Sequence, residues 1–360
     1  MRLKQLSIKG FRNLNDTSLT FDGKTPLFAF VGSNGQGKTN LLEAIYLCDL
    51  SKSFRAHGNT DLVAFDKDFA RIEATVEGGE ADLLEVIIER SPSRKTLKMN
   101  GVVKKVMEFI GNLPTVFFSP DDMAMIHSAP SMRRRYLDIL LSQVDREYLE
   151  TLLSYHQAIR HRNTLLKQIR EKRGKPDELD FWDEKIAALG MTLITKRRTM
   201  IASLNPIAES HYRGISQSKD ELVVGYETSV EPEKFAEKLA ALRERDMMNG
   251  LTSLGPHRDD LAFSCNGHDM ATFASRGEWR SLILSLKFSE VDLLREHLKT
   301  EPLLLLDDVF SELDDLRQKY LVSGLKGVQT FVTTTHVEFL EGIDVAKKVY
   351  KVENGEVTAL

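Results

Sequence analysis

Cysteine is nearly absent. The 360 residues hold two, Cys48 and Cys265, both among apolar neighbours. Two isolated thiols argue against a disulfide framework and for a reducing compartment. Long apolar runs are missing as well, so nothing in the chain reads as a bilayer span. The opening residues, Met1-Arg2-Leu3-Lys4-Gln5-Leu6, carry no apolar signal region. A cytoplasmic protein without membrane contact is expected. There is no overall positive charge: 49 Lys and Arg against 53 Asp and Glu leave a formal net charge of -4. That excludes a uniformly basic nucleic-acid binder and confines any DNA contact to a local patch. Internal repeats and low-complexity segments are also lacking. What remains is a globular composition, 42% hydrophobic and 28% charged, long enough for a large core and a second domain.

The most informative stretch is Gly32-Ser33-Asn34-Gly35-Gln36-Gly37-Lys38-Thr39, the full phosphate-loop pattern, followed by Asn40. The apolar run Leu27-Phe28-Ala29-Phe30-Val31 before it reads as a buried strand, and Leu41 to Tyr46 after it as a helix start. Glycines let the loop curl so that successive N–H groups face phosphate oxygens, and the helix N-terminus adds its positive end. Lys38 is expected on the outer phosphates and the Thr39 hydroxyl on Mg²⁺.

Around this loop the chain alternates in character. Leu3–Ile8, Ala70–Val76 and Leu83–Glu89 read as strands, and Asn100-Gly101 marks a hairpin. Val116-Phe117-Phe118 is a short buried strand. From about Ser131 strand signals stop. Leu149, Leu152, Leu153, His156, Ile159, Leu166 and Ile169 follow helical spacing, and after Arg173-Gly174-Lys175-Pro176 so do Leu179, Trp182, Ile186, Leu189 and Leu193. Two long amphipathic helices joined by a tight turn predict an antiparallel helical arm, with a helical insertion packed flat as the alternative. Strand character returns at Leu222–Tyr226, Leu261–Phe263, Leu303–Leu306 and Thr330–Thr334. A last hairpin is expected around Asn354-Gly355. The expected division is an N-terminal head part over 1–130, the arm over 131–219 and a C-terminal head part over 220–360, with one sheet drawn from both ends of the chain.

A second half of a nucleotide site follows. Leu303-Leu304-Leu305-Leu306-Asp307-Asp308 places two carboxylates at the C-terminal end of a buried strand, where open α/β sheets bind ligands. Asp307 is expected to hold Mg²⁺ and Asp308 to orient the attacking water, the alternative for Asp308 being a solvated turn residue. Ser311-Glu312-Leu313-Asp314 comes next, and upstream Ser275-Arg276-Gly277-Glu278 opens a helix. In this order the set resembles the ABC-type ATPases, which implies that Ser275 and Gly277 face the γ-phosphate held by another subunit. It also implies that His336, after Thr333-Thr334-Thr335, either senses the γ-phosphate or is an ordinary surface histidine.

The match narrows to the RecF family of bacterial recombination-mediator ATPases. It rests on Gly10-Phe11-Arg12-Asn13, Gly35 to Ala44, Lys52-Ser53-Phe54-Arg55, Phe118 to Asp122, Arg133 to Asp138, Gly255 to Asp260 and Leu305 to Asp314. The resemblance implies an α/β, ABC-type P-loop ATPase head with an inserted antiparallel helical arm. It implies ATP and Mg²⁺ as ligands, an ATP-dependent homodimer on DNA, and work with RecR and RecO in loading RecA. Relatives usually carry glutamine where Glu278 stands, an acid that repels a triphosphate unless Arg280 pairs with it. Asp308 in place of a glutamate predicts slow hydrolysis, raised when DNA favours the closed dimer.

Between Ser131 and Lys219 there are 17 Lys and Arg against 11 Asp and Glu. Arg160, Arg162, Lys167, Arg170, Lys196 and Arg197 are therefore the expected phosphate contacts to DNA, read without sequence preference, against the alternative of a solvated helix face. Aromatics among them are too few for a single-strand stacking platform. A membrane-transporter nucleotide subunit and a P-loop metabolic kinase are the competing classes. The long insertion argues against the first and the signature segment against the second. The phosphate loop yields the first test: Lys38→Met removes a charge-assisted phosphate contact and is expected to weaken ATP binding by tenfold or more, about 1.5–3 kcal/mol, in a nucleotide titration.

Overall fold

The computed structural model describes residues 1–123 and 125–360. The chain forms two compact units, one built from Met1–Ala124, His211–Ser218 and Arg276–Leu360, the other from Met125–Ser210 and Lys219–Ser275.

Two sheets make up the first unit. Its six-stranded, mostly parallel sheet runs Glu356–Ala359, Lys347–Glu353, Leu27–Val31, Thr330–Thr334, Leu303–Asp307, Thr115–Phe118. Only the terminal hairpin is antiparallel. Every residue of Leu27–Val31 and Thr330–Thr334 is buried, which explains why these strands read as continuous apolar or Thr-rich runs without alternation. The helix Lys38–Leu50 that follows the phosphate loop is buried along nearly its whole length. The second sheet is antiparallel, in the order Thr17–Thr20, Arg2–Lys9, Phe69–Glu77, Leu83–Glu89, Arg94–Met99, Val102–Lys104. Phe69–Glu77 alternates buried and partly exposed residues, the mark of a sheet with one wet face. Asn100 and Gly101 both adopt positive φ, 49° and 78°, as the Asn-Gly turn requires.

The second unit holds the helices Pro130–Val144 and Arg146–Arg170, most of Leu179–Ser216, and a three-stranded sheet of Leu222–Glu227, Asp260–Cys265 and His268–Asp269. The two long helices run antiparallel: Lys196 pairs with Asp145 at 2.5 Å, Arg197 bonds Tyr148 Oη at 2.9 Å, and Arg162 pairs with Asp183 at 2.6 Å. Leu165, Leu166 and Leu179 close the far end of the seam.

The sequence assigns the segment 220–275 to the head. Instead it groups with the long helices, and buried charge is the reason. Arg162, wholly buried, donates to Asp183 and also to Asp246 (2.7 Å) and Thr252 Oγ1 (2.9 Å). Asp246 and Thr252 lie in the later segment, so desolvated ion pairs tie it to the helices. A second knot joins Arg197 to Asp138 (2.7 Å) and the Pro256 carbonyl (2.7 Å). Asn205 bridges helix and sheet, donating to Val224 O and accepting from Val224 N. Among the described residues, no helix is long and apolar enough to cross a membrane.

Arg162→Met strips the buried Asp246 of its guanidinium. It is expected to destabilise the second unit by about 3–5 kcal/mol, read as a lower urea midpoint, whereas Lys167→Met, on an exposed side chain, leaves the midpoint in place.

Candidate nucleotide site

The central strand Leu27–Val31 ends between Lys347–Glu353 and Thr330–Thr334, so the loop it feeds emerges at the C-terminal edge of the parallel sheet. Gly37 caps the following helix at φ 111°, a conformation closed to other residues, and a Cβ there would press to 2.8 Å from the Leu14 side chain. Lys38 folds back over the loop, donating from Nζ to Gly32 O at 2.7 Å and Ser33 O at 2.9 Å. Burial lowers its proton affinity, against the pull of Asp308 and Asp307.

Thr39 meets the second half of the site directly. Its hydroxyl donates to both Asp307 carboxylate oxygens, at 2.8 and 3.0 Å, and Thr333 Oγ1 donates to Asp307 Oδ1 at 2.6 Å. The neighbouring Asp308 adopts φ 51° and its N–H donates to the Thr333 carbonyl at 3.1 Å. Its Oδ1 is buried yet takes no hydrogen bond from protein. Desolvation raises the Asp308 pKa, with Lys38 working against the shift. A buried acceptor without a donor is costly, and a water or metal-bound water is the donor that suits it.

These groups line a cleft of about 410 Å³ with Asn34, Gly35, Asn40, Arg55 and Pro120. The residues fit a magnesium–triphosphate group: one hydroxyl, one carboxylate already aligned on it, a lysine, and an orphaned acid beside them. Among the described residues no cluster of three or more His, Cys, Asp or Glu is suited to a metal ion. Mg²⁺ at such a site takes few protein ligands and completes its shell with phosphate and water.

Arg55 carried no predicted site role, though it belongs to one of the blocks that bear the family resemblance. It reaches the cleft from a charge cluster behind the loop. Glu43, fully buried on the phosphate-loop helix, accepts from Arg12 at 2.8 and 3.0 Å, from Arg55 at 3.0 Å and from Ser53 Oγ at 2.5 Å. Burial pushes the Glu43 carboxyl up, but Arg12, Arg55 and Ser53 outweigh it and hold the group charged. Arg55 also bonds Asn40.

The remaining expected site residues are elsewhere. Ser275 ends the second unit, Gly277 lies in the helix Arg276–Leu298 of the first, and neither lines the cleft. Arg280 pairs with Glu312, at 3.4 Å. His336 is exposed, its backbone N–H donating to Thr334 Oγ1 at 3.1 Å, and it does not line the cleft.

The DNA candidates need correction. Arg162 and Arg197 are buried in the ion-pair knots described above, and Lys196 is paired with Asp145 and with Glu147 at 2.8 Å. Arg162 and Arg197 are thus out of a phosphate's reach, and the half-buried Lys196 already shares its charge with two carboxylates, so these three are not kept as contacts. Arg160 and Lys167 are exposed, and Arg170 is exposed while donating to Asn249 O at 3.2 Å. Arg133 makes a two-pronged ion pair with Asp260, both contacts 2.7 Å.

Comparisons with known proteins agree over the full chain. Residues 2–358 match the family described as RecF/RecN/SMC N terminal domain. The DNA replication and repair protein RecF of Alkaliphilus oremlandii is 38% identical over 369 residues, covering 99% of this chain and 100% of that protein. Its counterpart in Bacillus subtilis is 35% identical over 371 residues, with 99% of each covered. The solved structure of the recombination mediator protein RecF-ATP in the RecFOR pathway superimposes with a TM-score of 0.90 at 34% identity, covering 99% of this chain and 97% of that one. An Smc head domain from Pyrococcus furiosus, TM-score 0.56 at 17% identity over 99% and 95% of the two chains, shares the fold.

Asp308→Asn keeps the shape of the site and removes a partly desolvated charge. ATP hydrolysis is expected to fall about 10²–10⁴-fold, the range of a lost general base, while the melting temperature of the nucleotide-free protein holds or rises. Phosphate release and a thermal melt check both halves.

Proposed function

The chain belongs to the RecF family of ABC-type ATPases, and from that premise we propose that it binds ATP with Mg²⁺ and uses the nucleotide to hold two copies of itself on DNA. The observation that carries the reading is the Thr39–Asp307 contact beside the unpartnered Asp308 oxygen, at the mouth of a glycine loop.

In this reading the loop N–H groups from Ser33 to Asn40 and the Lys38 ammonium hold the phosphates. Thr39 and Asp307 hold Mg²⁺, which when bound neutralises phosphate charge. Asp308 orients the attacking water and accepts its proton; its desolvated carboxylate, with raised proton affinity, suits that task. Its side chain is one methylene shorter than glutamate, which makes hydrolysis slow. Ser275 and Gly277 of a second copy supply donors to the far side of the γ-phosphate, and His336 senses it. ATP is then part of the dimer interface, and DNA that favours the closed pair raises the hydrolysis rate by population shift.

Arg160, Lys167 and Arg170 are the DNA phosphate contacts we retain. Solved relatives are described as working in the RecFOR pathway. We extend that to this chain as association with RecR and RecO, RecA loading downstream, and a cytoplasmic setting.

Sedimentation with and without ATP, Mg²⁺ and duplex DNA tests the shared site. Ser275→Arg is expected to bind ATP yet stay monomeric and inactive; a monomer that still hydrolyses ATP defeats the mechanism. On the DNA side, the pair Arg160→Glu and Lys167→Glu should lower the slope of log affinity against log salt by about 1.8, at 0.9 per phosphate contact, for unrelated sequences alike.

A further inference from the structure

The phosphate loop is gripped from behind by the other end of the chain. Strand Lys347–Glu353 runs parallel to Leu27–Val31 with Lys351 opposite Val31. The Val352 carbonyl therefore lies against Gly32, where any Cβ would strike it. Past the strand the chain turns at Asn354 and Gly355, φ 48° and 79°. The Asn354 N–H donates to Gln36 Oε1 at 2.5 Å and the Gly355 N–H to the Gln36 carbonyl at 3.2 Å. The Gly355 carbonyl in turn accepts from Asn15 N–H at 2.9 Å, and Asn13 Nδ2 donates to Gly35 O at 2.9 Å.

The chemistry of a phosphate loop explains why such a grip is useful. Its N–H groups have to converge on the ligand, which turns carbonyls the other way, and those need donors of their own. A glycine-rich segment is also the most costly kind of backbone to fix. Gln36 is not among the residues lining the cleft; it faces the hairpin, and the hairpin supplies the donors.

We infer that the Asn354–Gly355 turn is a positioning element of the nucleotide site, pre-forming the phosphate loop through Gln36, so that nucleotide occupancy and the order of the last hairpin are coupled. The inference rests on the ATP reading above. Gly355 is the sensitive residue. Its φ is closed to side chains, and a Cβ would land on the Asn13 carbonyl oxygen, so any substitution lifts the turn off Gln36 and off the Asn13–Asn15 segment together.

Three measurements on the full-length protein decide it. Gly355→Ala is expected to weaken binding of a fluorescent ATP analogue about tenfold through lost preorganisation, with the nucleotide-free melting temperature little changed. Asn354→Gly keeps the left-handed turn and both donors and should bind as the parent does. In the parent protein, ATP should slow hydrogen exchange at the Asn354 and Gly355 amides, which a hairpin of purely structural value would not show. A folded Gly355→Ala protein with unaltered affinity overturns the inference. So do turn amides whose exchange ignores ATP, and this arm decides the matter if Gly355→Ala fails to fold. A parent protein that binds no ATP overturns the nucleotide reading and this inference with it.

Discussion

The contact between the Thr39 hydroxyl and the Asp307 carboxylate spans 268 residues of sequence, and the rest of the site hangs from it. One partner belongs to the phosphate loop and the other to a strand laid down near the end of the chain. Thr333, on the strand between them, donates to the same carboxylate. Two strands of one parallel sheet and the helix start that follows a third thus meet at a single acid. The strand pairing sets Asp307 opposite Thr333 and Thr333 opposite Phe30, which brings the Asp307 and Thr333 side chains together at the sheet's C-terminal edge. The carboxylate is held by hydroxyls alone, so a divalent cation can take it over without breaking an ion pair.

Around that contact, charges are deployed in two different ways. Glu43 is buried beneath two guanidiniums and a serine, a fully paired cluster whose worth lies in holding Arg12 and Arg55 at fixed positions. Asp308 is the opposite case, a half-buried carboxylate whose buried Oδ1 is left without a donor, and an unpaired acceptor of that kind marks where chemistry is to be done. In the second unit buried charge serves the first purpose: Arg162 and Arg197 are consumed in stapling helices to a segment distant in sequence, although Arg162 Nη2 itself finds no partner.

What could be read from the sequence was local. Gly32 to Thr39 announces its own backbone, the strand before it and the helix after it, because eight adjacent residues dictate one turn. Leu303 to Asp308 is legible for the same reason, and so are the turns at Asn100-Gly101 and Asn354-Gly355. Illegible were the partnerships of single charges. Helical spacing shows that Arg160, Arg162 and Lys167 share a helix, but not that Arg162 turns inward, since its partner Asp246 lies 84 residues away. Composition counted Arg162, Arg197 and Lys196 as surface positive charge when each is already neutralised. The assignment of the segment 220–275 to the head failed with them, for those buried pairs are what recruit it. Gln36 read as one more loop residue, since its donors come from a turn 318 and 319 positions further on.

The strand order has a consequence for how the chain is made. Leu27–Val31, carrying Phe28 and Phe30, sits between Thr330–Thr334 and Lys347–Glu353. Neither neighbour exists until the ribosome has added some 300 further residues, a delay of roughly 15–60 s at 5–20 residues per second. Meanwhile the stretch that becomes the second unit emerges complete and can fold on its own contacts. The strand that will carry the phosphate loop waits as a bare aromatic segment, the kind of surface that chaperones recognise and that aggregates when they are scarce. Expression at lower temperature or with added chaperone should therefore matter more for this protein than its modest hydrophobicity suggests, because the last part synthesised is the part that closes its core.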